Sequence, residues 1–286
     1  MRARAPASSA NLGPGFDALA VALQLYVEVS VEEADELSVH ASGEGAGLPA
    51  DATHLAARVA AGVVGHDRVA IEVHSEIPVG RGLGSSAALA VAAAAAAGSD
   101  DPFIPAAAAD GHPENAAAST VGGLVAATTV DGAGLAHRLP LDPELRFVVV
   151  VPERELPTAR AREVLPAVVS REDAAFNLGR MGLLIAGLGD HRLLVAAATE
   201  DRIHQPARTA LFPEAPAILA DLLEAGALAS CWSGAGSSLL AICTDAFAGA
   251  VEAVGRALLE DHRLGGTVMR LEADLAGVTL LSSPAS

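Results

Sequence analysis

The segment "PVGRGLGSSAALAVAAAAAA" (Pro78–Ala97) constrains the fold more than any other stretch of the chain. Glycine stands at every second position from 80 to 84, two serines follow, and alanine dominates the rest. Alanine is the strongest helix former, so the run to Ala97 reads as a helix. The preceding "VAIEVHSEIP" (Val69–Pro78) alternates apolar and polar residues and reads as a strand. Glycine enters left-handed backbone at no steric cost, so the chain can turn sharply between the two. The start of a helix leaves about four N–H groups unsatisfied and carries roughly half a positive charge. A glycine-rich turn into such a terminus gathers N–H groups on one anion, and phosphate is the natural guest. Ser85 and Ser86 add hydroxyls for phosphate or Mg2+. A plain strand–helix turn capped by serine satisfies the glycines equally well, so the pattern alone leaves both readings open.

Composition narrows the choice. All 18 basic residues are arginine. Without lysine there is no Schiff-base or pyridoxal-phosphate chemistry and no Walker A loop. The spacing G-x-G-x-G also misses the dinucleotide pattern G-x-G-x-x-G. A net charge of −17 argues against nucleic acid or an anionic membrane as partner. Any anionic ligand must therefore be held by local features. Cys231 and Cys243 make neither a disulfide framework nor a zinc cluster and read as buried thiols in a reducing cytoplasm. Asn11, Gly13, Pro14, Gly15 and Asp17 interrupt the N-terminal region, so no signal peptide is read there. The alanine run is too short to span a bilayer.

The 286 residues suggest two domains, with the division near residue 142. "LYVEVSV" (Leu25–Val31) and "LSVHAS" (Leu37–Ser42) read as half-buried strands in an antiparallel pair. "HLAARVAAGVVG" (His54–Gly65) has helical spacing, and a second Ala-rich helix covers Pro105–Ala109. "DGHPEN" (Asp110–Asn115) reads as irregular backbone, "GGLVAATTV" (Gly122–Val130) as a strand and "DGAG" after it as a turn. "RFVVVVP" (Arg146–Pro152) is continuously apolar, as in a strand buried on both faces. Helices are read at 157–165, 177–188 and 215–225, then strands at "LLAICT" and "VMRLEAD" with one helix between them. The class is α+β without internal repeats.

The string P-x-G-x-G-L-G-S-S-A-A resembles the phosphate loop of the GHMP kinase superfamily. "ANLGPGFD" (Ala10–Asp17) resembles its N-terminal motif, and "SGAGSS" (Ser233–Ser238) its C-terminal glycine motif, with Ser237 where proline is usual. "GHPEN" (Gly111–Asn115), "TARAREVLP" (Thr158–Pro166) and "HQPARTALFP" (His204–Pro213) resemble elements of the homoserine kinase branch. The resemblance spans essentially the whole chain. It implies a two-domain GHMP kinase fold. Residues 1–142 would form the ATP-binding domain and residues 143–286 a ferredoxin-like α+β domain.

It also implies ATP-dependent phosphorylation of the homoserine hydroxyl. Pro78, Gly80, Arg81, Gly82, Leu83, Gly84, Ser85, Ser86 and Ala87 would surround the triphosphate, with Ser86 and Asp110 on Mg2+. Asp110 replaces the family's usual glutamate, and Glu114 its aspartate. Arg162 and Arg208 would hold the substrate carboxylate, the task for which a guanidinium fork is suited. Asn11, Asp17, His112 and Asn115 would surround the ammonium and hydroxyl. Asp17 is read as orienting the substrate, with no strong base required. The family's adenine-side Asn-Leu pair falls on His54 and Leu55, to which no role is assigned. A homodimer is expected. Two alternatives stay open: a GHMP kinase for another small hydroxylated metabolite, and a catalytically silent binding homologue.

Overall fold

The computed structural model describes residues 1–131 and 133–282. Gly132, in the turn read at "DGAG", lies outside the described residues. The chain opens with β1 (Arg2–Ala10), β2 (Leu19–Glu33), β3 (Ser38–Gly43), α1 (Leu55–Val64), β4 (Val69–Ser75) and α2 (Ser85–Ala96). It continues through α3 (Phe103–Asp110), α4 (Pro113–Val121), β5 (Leu124–Val130), β6 (Ala133–Leu139) and β7 (Leu145–Val151). Then come α5 (Thr158–Glu163), α6 (Arg171–Gly189), α7 (Gln205–Arg208), α8 (Ala215–Glu224), β8 (Ala229–Trp232) and β9 (Leu239–Thr244). It closes with α9 (Asp245–Asp261), β10 (Thr267–Leu271) and β11 (Thr279–Leu281).

The first sheet has the order β11-β1-β2-β4-β3, with β5 paired to the start of β2 and β6 to β5. The second has the order β10-β7-β9-β8 and is antiparallel throughout. That order is the ferredoxin-like βαββαβ arrangement. After β10 the chain returns to the first sheet. β11 pairs with β1, and Asp274 exchanges main-chain hydrogen bonds with Ala22 and Gly123.

One pairing differs from the sequence reading. β2 and β3 are not an antiparallel pair: β4 lies between them, antiparallel to β2 and parallel to β3. Parallel strands need a crossover, and α1 supplies it. Alternation marks a half-buried strand but does not say which strand it joins. β1 was invisible for a related reason. Its residues RARAPASSA are poor strand formers, yet it is buried from Ala5 to Ala10, and Pro6 sits where the register to β2 shifts. "DGHPEN" is shorter as irregular backbone than it reads: Gly111 ends α3 at φ +76° and Pro113 already opens α4.

Every residue of α2 from Ala87 to Ala96 is buried, enclosed by β1, β2, α1, α3 and α4. A helix covered on every side has no polar face, and alanine lets its neighbours approach closely. Ala92→Leu at its centre would overpack the site and cost about 1–3 kcal/mol. β7 is apolar on both faces for a comparable reason. Phe147, Val149 and Val151 join the core shared with the first sheet, while Val148 and Val150 face the core under α8 and α9. Among the described residues no helix is long and apolar enough to cross a membrane.

Candidate active site

Gly80, Gly82 and Gly84 have φ values of +67°, +76° and +64°. A Cβ on Gly82 would lie 2.2 Å from the Ser233 carbonyl oxygen, and one on Gly84 2.1 Å from Ser8 Oγ. The loop's carbonyls are engaged by surrounding protein. Leu156 N–H donates to Gly80 O (3.3 Å), Ser238 N–H to Arg81 O (3.1 Å) and Ser8 N–H to Leu83 O (3.1 Å). Ser233 Oγ donates to Gly82 O at 2.7 Å. Among the described residues the N–H groups from Gly80 to Ala87 donate to no protein acceptor. The loop lines a cleft of about 200 Å³ at the start of α2. Carbonyls turned into protein and amides left unpaired make an anion site without a lysine.

The other motifs brace this loop. Ser233 Oγ also accepts from the Ser9 hydroxyl (2.8 Å), and Gly234 N–H donates to Ala10 O (2.9 Å). The tight α3–α4 junction aims Asp110 and His112 at the helix start. Ser86 Oγ donates to one carboxylate oxygen of Asp110, and His112 Nδ1 lies 3.2 Å from the other. That second contact is the main reason the His112 imidazole titrates above its ordinary value. From α4, Asn115 accepts from Ser8 Oγ at 2.9 Å and donates to Glu114 Oε1 at 3.0 Å. Glu114 is 2% exposed and its Oε2 has no partner among the described residues. Burial pushes its carboxyl above the usual range.

The opposite wall is built from side chains. Between β1 and β2 the backbone is left-handed at Asn11 (+70°), Leu12 (+47°), Gly13 (+79°) and Asp17 (+53°). Such non-glycine conformations cost energy and collect where geometry matters for function. Asn11 Oδ1 accepts from Asp17 N–H (3.0 Å) and its Nδ2 donates to Gly234 O (2.8 Å), which fixes the turn. Arg162, on α5, grips Asp17 with two bonds of 2.8 and 3.1 Å. Arg208 ends α7 and is 2% exposed. Burial, and then the charge of Arg162, pull its guanidinium down to about 10. Arg162 and Arg208 hang over the Phe16 ring at 5.8 and 5.7 Å. Two guanidiniums around one cleft favour a carboxylate, and the acids Asp17 and Glu114 beside them favour a cation. A zwitterion satisfies both.

A family model for the N-terminal domain of GHMP kinases matches residues 50–123, and one for their C-terminal domain matches residues 181–261. A curated homoserine kinase of Solibacter usitatus is 44% identical over 254 residues, covering 83% of each chain. That of Desulfitobacterium hafniense is 34% identical over 299 residues, 98% of this chain and all of its own. A crystal structure of homoserine kinase from Cytophaga hutchinsonii superposes with a TM-score of 0.87 at 27% identity, covering 98% of this chain and 97% of its own. The chain belongs to the GHMP kinase family.

In this GHMP kinase every residue to which the sequence assigned a site role lines the one cleft, apart from Ala87. The Ala87 side chain is buried inside the helix packing, so only its N–H is available to a ligand. Arg162 and Asp17 are met as a pair, where the sequence set each on a separate part of the substrate. His54 is 4% exposed and caps α1, its Nδ1 accepting from Ala56 N–H at 3.3 Å. Sequence reasoning missed Thr158, Gly234 and Ala235, which also line the cleft. Glu114 was read only as a replacement for the family's aspartate. Its place beside His112 and Asn115 on a new helix was the signal that it shares their cleft.

Proposed function

We propose that this chain is a homoserine kinase, transferring the γ-phosphoryl of ATP to the side-chain hydroxyl of L-homoserine. The products are O-phospho-L-homoserine and ADP, a step of threonine biosynthesis. One observation carries the reading. The unpaired amides of Gly80–Ala87 and the pair Arg162 and Arg208 border a single cleft. One side suits a polyphosphate and the other an amino-acid carboxylate.

Phosphoryl transfer has a loose transition state, so positioning and charge stabilisation supply most of the rate. The loop amides and the start of α2 face the equatorial oxygens. Arg208 holds the carboxylate, Arg162 turns from Asp17 to join it when substrate enters, and Asp17, so freed, accepts from the ammonium together with Glu114. Asn115 stands between the phosphate loop and Glu114 and orients the hydroxyl. The hydroxyl's proton leaves with the transferred phosphoryl group or to solvent, so no strong base is needed.

Mg2+ fits the residues at the helix start. Ser86 Oγ and the Asp110 carboxylate already touch, and one carboxylate plus substrate phosphates is a usual magnesium environment. These two residues would hold it, and the ion would neutralise charge between the β- and γ-phosphates. The free buried thiols of Cys231 and Cys243 support a cytoplasmic setting. The outer face of α6 supports a homodimer. Leu178 and Leu183 are 72% and 43% exposed there, beside Ala175, Gly179, Gly182 and Ala186. An antiparallel pair of these helices would set Arg171 and Glu172 of one copy against Asp190 and Arg192 of the other.

A coupled assay of ADP release with homoserine, mevalonate, galactose and shikimate tests the assignment. Homoserine alone should support turnover at high kcat/KM. Preference for another alcohol, or tight ATP binding without turnover of any, would overturn it.

A further inference from the structure

Arg208 is held by a histidine whose two ring nitrogens have different partners. His204 is fully buried between the N-terminal loop and α7, stacked on Phe16 at 5.1 Å. Its Nδ1 lies 3.0 Å from Arg208 Nη1, and its Nε2 2.7 Å from the Gly13 carbonyl oxygen. A guanidinium only donates and a carbonyl oxygen only accepts. Both contacts are therefore met by one species, the neutral imidazole with its proton on Nε2. Asp201 fixes the turn beneath it, accepting from His204 N–H (2.8 Å) and Gln205 N–H (2.7 Å), and Asn177 Nδ2 donates to Asp201 at 2.6 Å.

The rest of the guanidinium is also assigned. Nη1 donates to Gly234 O at 2.9 Å, and Nε to Ala161 O at 3.5 Å. Nη2 has no protein acceptor among the described residues, and it is the nitrogen left for a ligand in the cleft. The Gly13 carbonyl belongs to the left-handed N-terminal loop that also carries Asn11 and Asp17. His204 thus ties the orientation of Arg208 to the loop that presents Asp17.

We propose that His204 is a positioning residue, which sets the affinity for the amino-acid substrate by accepting from Arg208 and so turning its free edge toward the cleft. The inference rests on the homoserine kinase reading for the identity of that substrate. Two substitutions separate the ring's contacts. Asn at 204 puts an oxygen where Nδ1 stood and keeps the acceptor for Arg208. Gln at 204 reaches the Nε2 position and keeps the donor to Gly13 but leaves Arg208 unpaired.

The test measures KM for homoserine and for ATP in wild type, His204→Asn and His204→Gln, with unfolding midpoints as a control for folding. In His204→Gln the homoserine KM should rise about 10- to 100-fold, the loss expected for one hydrogen bond to a charged group. In His204→Asn it should stay within about threefold, and the ATP KM should be unchanged in both. Equal effects of the two substitutions, or a parallel rise in the ATP KM, would overturn the proposal. A 15N spectrum of histidine-labelled wild type needs neither substrate nor substitution. It should show a neutral His204 protonated on Nε2, and a proton on Nδ1 would equally overturn it. Wild-type turnover of another alcohol but not of homoserine would instead defeat the functional reading and leave the tautomer result standing.

Discussion

The two walls of the cleft solve the same electrostatic problem with different materials. One is main chain: alternate left-handed glycines, carbonyls turned into protein and N–H groups left unpaired at the start of α2. The other is side chain: Arg162, Arg208, Asp17 and Glu114, brought together from distant segments, as the bonds between Arg162 and Asp17, 145 residues apart, show. In a chain of net charge −17 neither wall can draw on a general positive field. The phosphate wall uses partial charges that cannot be protonated or screened away by a flexible stem. The side-chain wall uses full charges of both signs, a pattern that suits a zwitterion. A backbone site should fail through steric change, and a side-chain site through loss of charge.

That contrast is sharpest at Gly82. With φ +76° and a Ser233 oxygen 2.2 Å from any added Cβ, Gly82→Ala must move the loop itself. We expect kcat/KM to fall by more than about 100-fold, the scale of a misplaced catalytic group. Gly80 has φ +67° but open space around it, so Gly80→Ala should lose clearly less. Equal losses in a steady-state assay would break the steric account. On the other wall, Arg208→Ala should raise the homoserine KM by about 10- to 100-fold and leave the ATP KM alone. A rise in both would mean the walls are not separate sites.

A smaller effect is expected from pH. In the folded chain the His204 pKa is pulled down, mainly by burial, to about 4, against an ordinary value of 6.5. As pH falls the unfolded chain takes up this proton first, so the folded state loses stability. The contribution is complete above about pH 6.5 and is lost on the way down to about pH 4, at up to about 1.4 kcal/mol per pH unit. Urea unfolding should show this slope in wild type and lose it in His204→Asn. The smallest effect should come from Arg81. Its guanidinium is turned to Glu155 at 3.3 Å, so Arg81→Gln should change ATP affinity by less than about threefold.

The walls also differ in how far they could be read beforehand. The phosphate wall is local: Gly80, Gly82, Gly84 and the alanine run carry its geometry in one continuous string. The amino-acid wall is not. Nothing in the spacing of Asp17, Arg162 and Arg208 says they meet, and they were reached only through motifs resembling a family. Glu114 and His204 stand inside those motifs, but their roles escaped even so. A buried carboxyl with a free oxygen and an imidazole locked in one tautomer are properties of packing. In the fold α1, α2, α3 and α8 follow the sequence reading closely, whereas α6 begins at Arg171, ahead of the expected 177, and α4 and α7 were not read. The partner of β3 and the existence of β1 did not emerge, because both depend on long-range pairing.

The most direct test of the main-chain grip is a 1H–15N spectrum of the protein, recorded before and after saturation with magnesium and a non-hydrolysable ATP analogue. The amides of Gly82 to Ser86 should move downfield more than any others as they bond to phosphate oxygens. Unmoved amides there, with the Arg81 guanidinium signal shifting instead, would contradict the account.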